Sequence, residues 1–212
     1  MPSVTFGTFH YGYMAPGWLS ARDQLIMCTL QAGWKVGTHE VYSALVSHNA
    51  NEIWNDCDTD YLMFTSTDHK GYPPDLAIRL SAHNVALCST LYPRRSPPYD
   101  PQVWRYTEDA SGAITFVTLK SFPTDTLFPC DGVGNSFLLY DMRLLKHRLP
   151  PNPFSLLPDG TGKEMGEDLS FAKRCHDLGI PFHCDPTIPM IHIGFIGLSC
   201  QGDKVAMISQ EV

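Results

Sequence analysis

The sequence lacks any apolar run near 18 residues, the length that a membrane-spanning helix needs. It also begins without a basic segment and an apolar core, so we expect no secretory signal. Basic residues are scarce, and the net charge of −7 disfavours a surface that grips nucleic-acid phosphates. The basic residues concentrate at Arg94, Arg95, Lys120 and the segment 143–148. With 212 residues, the chain is long enough for one domain with its own core.

Paired cysteines are also missing, because the seven cysteines are scattered and no CxxC pair occurs. This pattern is typical of reduced thiols, so we expect a cytoplasmic protein, or one in the host cytoplasm if the chain is viral. Cys175-His176 and His183-Cys184 contain zinc-binding residue types, but their spacing matches no usual structural zinc pattern. There is no P-loop, and the sequence contains no dinucleotide-binding fingerprint.

Strand and helix patterns alternate through residue 90, which predicts an α/β fold. Two more strand patterns, 103–106 and 114–119, predict a β-hairpin. The segment 149–163 contains four prolines and two glycines, and loops of this length often act as lids. The other predicted strands are 4–6, 34–38, one that begins at Tyr61, 85–90, 136–140, 181–184 and 190–193. The predicted helices are 20–32, 41–54, 74–83, 142–148 and 166–178.

The segment 61–69 combines a strand pattern with a polar end. Four bulky residues at 61–64 indicate a buried strand, and a polar cluster that ends in Asp68 and His69 follows them. In open α/β sheets, ligands bind beyond the carboxyl ends of the strands, where this cluster would lie. Aspartate binds hard cations and imidazole suits Mn, Fe or Zn, so the segment suggests a metal site for a phosphorylated substrate. An ordinary turn after the strand explains the same residues.

Two other groups of residues could take part in chemistry. Glu167 and Asp168 begin the predicted helix 166–178, and His192 lies between two isoleucines of a predicted strand. Each has an ordinary explanation, because acids at a helix start complement the macrodipole and a strand histidine is often a core residue. The macrodipole would also lower the pKa of Asp168 and make it a weak base, unless apolar surroundings or a phosphate raised the pKa again.

Taken in chain order, these segments resemble the GT-A glycosyltransferases, in particular the inverting family-2-like group, over most of the chain. The residues that carry the resemblance are the strand and turn at 4–8, the segment 47–50 with His48 in the place of an arginine, the strand 61–68 that resembles the one ending in the DxD motif, the helix start 73–76, the segment 132–137, the "ED" helix from Gly166 to Gly179, and the closing pair Asp185-Pro186 and His192-Ile193-Gly194.

The resemblance implies a single GT-A (Rossmann-like) domain over 1–197, followed by a tail at 198–212. Such a domain has a mostly parallel central sheet flanked by helices, here with a small β-hairpin addition. It moves a sugar from a nucleoside diphosphate sugar, expected to be UDP-linked, to a hydroxyl acceptor. The acceptor is unknown and could belong to a glycan, a small molecule or, as a minority hypothesis, a modified base in DNA.

The resemblance also assigns roles to individual residues. Mn²⁺, or Mg²⁺, would bind to Asp68 and His192. Asp168 would be the general base and Glu167 would orient the acceptor or the donor sugar, while the loop 149–163 would close over the donor. The residues expected to bind the nucleotide sugar are Gly7, Thr8, Asn49, Ser66, Thr67 and Gly134.

Ser66 departs from the family's pattern, since it stands where the first acid of the DxD motif is expected. A hydroxyl is a poorer cation ligand than a carboxylate, so the metal would be held more weakly, with His69 as an additional ligand and Mn²⁺ preferred over Mg²⁺. A weak or inactive nucleotide-sugar binding module would also explain Ser66. A nucleotidyltransferase is a second alternative, although the segment 7–17 lacks the basic residues expected of a triphosphate-binding loop.

Overall fold

The computed structural model describes residues 1–10, 14–43, 45–110, 112–188, 190–193, 197–201 and 204–208. None of the described helices is long and apolar enough to cross a membrane. In chain order the described elements are β1 (Ser3–Phe9), α1 (Trp18–Gln31), β2 (Lys35–Val41), α2 (Val46–Asp56), β3 (Tyr61–Ser66), β4 (His69–Lys70), α3 (Leu76–Ser81), β5 (Leu87–Thr90), β6 (Val103–Glu108), β7 (Ile114–Thr118), β8 (Phe128–Cys130), β9 (Gly132–Val133), β10 (Leu138–Asp141), α4 (Met142–Leu145), α5 (Glu167–Asp177), β11 (Phe182–Asp185), β12 (Ile191–Ile193), β13 (Gly197–Gln201) and β14 (Lys204–Ile208).

A seven-stranded sheet with the order β2-β1-β3-β10-β5-β11-β8 forms the centre of the fold. Strands β2, β1, β3, β5 and β11 run in one direction, while β10 and β8 run in the other. The expected α/β fold with a mostly parallel central sheet is therefore confirmed. The carboxyl ends of the five parallel strands meet at one edge, so the segments that follow β1, β3 and β5 converge there.

Alternate residues of the central strands fill two hydrophobic cores on opposite faces of the sheet. Leu62 and Phe64 of β3 belong to one core, and Tyr61 and Met63 belong to the other. All six residues of β3 are buried, as expected for a strand covered on both faces. The bulky run at 61–64 therefore gave a correct strand prediction because the strand has no solvent-facing side.

Two smaller sheets flank the central one. The predicted hairpin is confirmed as β6 and β7, and β9 pairs with β6. The second small sheet has the order β14-β13-β12-β4. Its hairpin of β13 and β14 lies where no element was predicted, and the division of the chain near residue 197 stays a prediction. The short strands β4 and β8 were not predicted either, because two or three residues carry no usable periodicity.

The predicted helix 41–54 was wrong at its start. Val41 is the last residue of β2 and pairs with Phe9 of β1, so the apolar residue there belongs to a strand. The helix begins only at Val46. Six cysteines, at 28, 57, 88, 130, 175 and 184, are free, and all of these except Cys28 are buried.

Candidate active site

A cavity of about 460 Å³ opens at the edge of the sheet where the parallel strands end. Phe9 and Ser66, the last residues of β1 and β3, line it, and so do residues of the segment that follows β5. The remaining lining residues come from 68–69 after β3, from the start of α2, from 134–136, from the start of α5 and from β12. The polar and charged residues that line it include Asp68, His69, Tyr92, Arg94, Arg95, Asn135, Ser136, Glu167, Asp168 and His192.

Three potential metal ligands lie together in this cavity. Within the part of the chain that the structure describes, the one such group with ligand atoms within 4.8 Å of one another is Asp68, His69 and His192. The short pairing of β4 with β12 produces the cluster, because His69 and His192 are register partners and their rings stack at 4.0 Å. Asp68 precedes β4 directly, and its carbonyl accepts a hydrogen bond from Ile193 N at 2.7 Å.

The hydrogen bonds of His192 fix the orientation of its ring. Nδ1 donates to the carbonyl oxygen of Pro93 at 2.7 Å, and Nε2 faces Asp68 Oδ2 at 3.3 Å. A carbonyl can only accept, so the Nδ1 proton is committed to Pro93. Nε2 and Oδ2 face each other, so a cation placed between them would have one ligand atom on each side. The Asp68 oxygen and the His192 nitrogen are therefore suitable ligands for a divalent metal, with the second-shell contact that metal-binding histidines usually have.

His69 holds Asp68 in place from the other side. Its Nδ1 donates to Asp68 Oδ1 at 2.8 Å. Burial and the neighbouring charge of His192 lower the pKa of His69 to about 4, so the ring is neutral at pH 7. Burial alone would raise the pKa of Asp68, but hydrogen bonds with His192 and His69 outweigh it and hold that pKa well below its usual range. Asp68 is therefore an anion at neutral pH.

Two arginines add positive charge to this side of the cavity. Arg95 Nη1 donates to Asp68 Oδ2 at 2.8 Å, and Arg94 lines the cavity beside it. Both follow β5 in the proline-rich segment 91–101, which forms a loop. The sequence showed this basic pair but gave no reason to place it at the site. The only available signal was its position directly after a buried strand, at the carboxyl edge of the sheet.

Glu167 and Asp168 enter the cavity from the first turn of α5. Burial, and after it the charge of Glu167, raises the pKa of Asp168 to about 7. Burial also raises the pKa of Glu167. The hydrogen bond that Asp168 Oδ1 accepts from Leu169 N, at 2.8 Å, acts in the other direction but is outweighed. Burial and the charge of Glu167 therefore raise the pKa of Asp168 by more than the start of a helix lowers it. Asp168 is a suitable proton acceptor near neutral pH.

Gly134 and Ser66 support the wall of the cavity. A Cβ atom at Gly134 would lie 2.3 Å from Tyr92 Oη, so only glycine lets Tyr92 pack there. Tyr92 Oη in turn accepts a hydrogen bond from Ser136 N at 3.1 Å. The hydroxyls of Ser66 and Ser136 are 2.5 Å apart. The Ser66 hydroxyl is thus paired with the hydroxyl of Ser136.

Four residues predicted to bind the nucleotide sugar are not among those that line the cavity. A Cβ at Gly7 would lie 2.7 Å from Ile53, so this glycine allows β1 and α2 to pack closely. Thr8 bonds to Thr65 at 2.8 Å, and Asn49 Nδ2 donates to the carbonyl of Ser43 at 3.0 Å. The carbonyl of Thr67 accepts from Ala15 N at 2.8 Å. The roles of these four residues in nucleotide-sugar binding stay predictions. Gly194, which ends the closing segment of the resemblance, lies outside the described residues.

The loop 149–163 does not cover the cavity in this structure, since none of its residues lines it. Phe154 is fully buried in the core, and its backbone N donates to Asn51 Oδ1 at 2.9 Å. Arg174 of α5 donates to the carbonyl oxygens of Pro153 and Ser155 at 3.0 and 2.7 Å. The part of the loop at 153–155 is therefore anchored to α2 and α5, and the lid role of the loop stays a prediction.

No family model and no curated protein matches the chain. Among solved structures it is similar to A197 from STIV, at 15% identity over 100% of this chain and 96% of that one, with a TM-score of 0.58. It also matches TarS of S. aureus at 10% identity over 87% and 57% of the two chains, with a TM-score of 0.46. CMP:2-keto-3-deoxy-manno-octonic acid synthetase complexed with CTP matches at 9% identity over 87% and 89%, with a TM-score of 0.43. The similarity to A197 shows a shared fold alone, and the two lower scores support no argument.

Proposed function

We propose that this chain is a glycosyltransferase that moves a sugar from a nucleoside diphosphate sugar, UDP-linked, to an acceptor hydroxyl with inversion. One observation carries the proposal. The same cavity contains a carboxylate–imidazole pair suited to a metal and an aspartate whose pKa is raised to about 7. Sugar transfer needs both functions, since charge develops on the leaving diphosphate and the acceptor hydroxyl must lose a proton.

Asp68 and His192 would hold Mn²⁺, or Mg²⁺. The bound metal would supply Lewis-acid stabilisation of the leaving diphosphate. The chain's own residues prepare this site: His69 orients the carboxylate of Asp68, and the Pro93 carbonyl orients the ring of His192. An oxygen and an imidazole nitrogen together suit Mn²⁺ better than Mg²⁺.

Asp168 would act on the acceptor. As the acceptor oxygen forms a bond to the anomeric carbon, the bond from that carbon to the diphosphate breaks, and the hydroxyl proton passes to the Asp168 carboxylate. Attack from the side opposite the leaving group inverts the anomeric centre. Glu167 would orient the acceptor or the donor sugar from the preceding position of α5.

The raised pKa of Asp168 favours an active enzyme over an inactive binding module. Acids in a cavity whose pKa lies near neutral pH are typical of catalytic sites, where they act as proton acceptors. The segment 7–17 contains no lysine or arginine, which argues against a nucleotidyltransferase. The net charge of −7 gives no support to a DNA acceptor.

A thermal-shift panel of nucleotide sugars, with and without Mn²⁺, tests this proposal. A donor that binds the folded state at 100 times its Kd should stabilise the protein by about 2.7 kcal/mol. We expect a UDP-sugar to raise the Tm in the presence of Mn²⁺, and Asp68→Asn to remove the Mn²⁺-dependent part of that rise. The proposal fails if no nucleotide sugar raises the Tm of the wild type. Equal Mn²⁺-dependent shifts in wild type and Asp68→Asn would overturn the metal assignment.

A further inference from the structure

Arg95 and the proposed metal would occupy the same oxygen of Asp68. Arg95 Nη1 donates to Oδ2 at 2.8 Å, and Oδ2 is also the oxygen that faces His192 Nε2 at 3.3 Å. The other oxygen, Oδ1, accepts from His69 at 2.8 Å. A metal that binds between Asp68 and His192 therefore meets an arginine that already neutralises its carboxylate ligand.

The two cations compete for the negative charge of this oxygen, and each repels the other. A guanidinium remains charged at any pH a protein experiences, so Arg95 cannot lose its charge to make room. The Asp68 side chain is only 14% exposed, so solvent weakens the repulsion between the arginine and a divalent ion less than it would at the surface. Binding of the metal to Oδ2 thus favours movement of the Arg95 side chain away from Asp68.

The Arg95 side chain can move away from Asp68, and a diphosphate in the cavity would give it a new partner. Its side chain is 58% exposed, and it extends from the loop that follows β5. Its neighbours Arg94 and Ser96 also line the cavity. A guanidinium can bind a phosphate through two parallel hydrogen bonds, which makes a diphosphate in this cavity a suitable partner.

We propose that Arg95 is an exchange residue that couples metal binding to diphosphate binding. In the free protein it pairs with Asp68 and weakens metal binding. When a nucleoside diphosphate enters, Arg95 transfers from Asp68 to the diphosphate, and Oδ2 becomes available to the metal. This inference rests on the proposed function and adds an order to it, because the metal and the nucleotide then bind strongly only together.

Binding of Mn²⁺ to the full chain, followed by electron paramagnetic resonance with and without UDP, tests the exchange. In Arg95→Ala we expect Mn²⁺ alone to bind up to about fivefold more tightly, in line with the loss of a partly exposed ion pair. We expect UDP at saturating Mn²⁺ to bind at least about tenfold more weakly, because charged hydrogen bonds to phosphate are lost. Opposite changes in the two affinities are the signature of exchange, and a general loss of structure would weaken both.

Two further variants serve as controls. Arg105→Ala removes another exposed arginine that pairs with a carboxylate, Asp131 at 3.5 Å, but one that does not line the cavity. It should leave both affinities unchanged. Arg95→Lys keeps the charge and loses the planar fork, so Mn²⁺ alone should bind as in the wild type while UDP binds more weakly.

The outcomes separate this inference from the proposed function. If Arg95→Ala leaves Mn²⁺ affinity unchanged or lowers it, or if UDP affinity does not fall, the exchange is wrong while the metal site stands. If Asp68→Asn binds Mn²⁺ as the wild type does, with and without UDP, the metal assignment is wrong and the exchange falls with it.

Discussion

Two aspartates line the cavity, and their surroundings shift their pKa values in opposite directions. Hydrogen bonds with His192 and His69 outweigh the burial of Asp68 and keep it ionised. Burial and the charge of Glu167 raise the pKa of Asp168 to about 7. Two carboxylates with separated pKa values can serve two roles, one as an anion that binds a cation and the other as a base that gains a proton.

At the residue scale, we predict that transfer depends on the ionisation of Asp168. Because the base must be deprotonated, kcat/KM should rise about tenfold per pH unit below pH 7 and level off above it. Asp168→Asn should retain UDP binding with Mn²⁺ but lower transfer by about 10²–10⁴-fold. Steady-state kinetics across pH 5–9 with the donor found in the thermal-shift panel would measure both effects.

Asp177→Asn is the matched control, since Asp177 lies on the same helix but outside the cavity. It should keep the wild-type rate and the wild-type pH profile. Full activity of Asp168→Asn, or a wild-type profile that is flat between pH 5 and 8, would show that Asp168 is not the base.

At the element scale, the loop 149–163 is anchored in the core by Phe154, while most of its other residues are exposed. Phe154 is fully buried, stacks on Phe171 of α5 at 4.7 Å and contacts Trp54 of α2 edge-on at 5.8 Å. Proline and glycine content correctly predicted that this segment forms no helix or strand. The same composition could not show that one phenylalanine fixes the loop to two helices, because this depends on contacts with distant residues.

We therefore predict that Phe154→Ala lowers the free energy of unfolding by about 3–5 kcal/mol, the usual cost of removing a buried phenylalanine. Leu156→Ala changes an exposed residue of the same loop and should alter stability by no more than about 0.5 kcal/mol. Urea denaturation would measure both. A lid would show the reverse behaviour, with little loss of stability in Phe154→Ala and a large loss of UDP affinity.

At the scale of the whole molecule, local patterns predicted most elements but not the contacts that build the site. The buried strand β3, the hairpin of β6 and β7, and helix α5 follow from periodicity and from turn residues. The insertion of β10 in the opposite direction between β3 and β5 has no local signal. The Asp68–His192 pair joins residues 124 positions apart, and it depends on the two-residue strand β4.

The pKa values and ion pairs of the site were even harder to predict from the sequence. The residues showed that Glu167 and Asp168 begin a helix, and a helix start alone would lower their pKa values. The burial that raises them comes from the packing of α5 against the rest of the fold. Arg95 likewise lies in a recognisable basic pair, but its contact with Asp68 exists only because the segments after β3 and β5 meet at one edge.

The raised pKa of Asp168 also predicts a pH-dependent contribution to the stability of the whole molecule. The folded state holds this proton more tightly than the unfolded chain, in which an aspartate has a pKa of about 3.9. This contribution is therefore fully present below about pH 4 and is lost as the pH rises to about 7. Asn cannot ionise, so the Tm of Asp168→Asn minus that of the wild type should increase between pH 5 and pH 8. Asp177→Asn, which changes an exposed acid of the same helix, serves as the control in the same measurements. A difference for Asp168→Asn that stayed constant or decreased, in thermal denaturation at the two pH values, would contradict the raised pKa on which the role of Asp168 as a base depends.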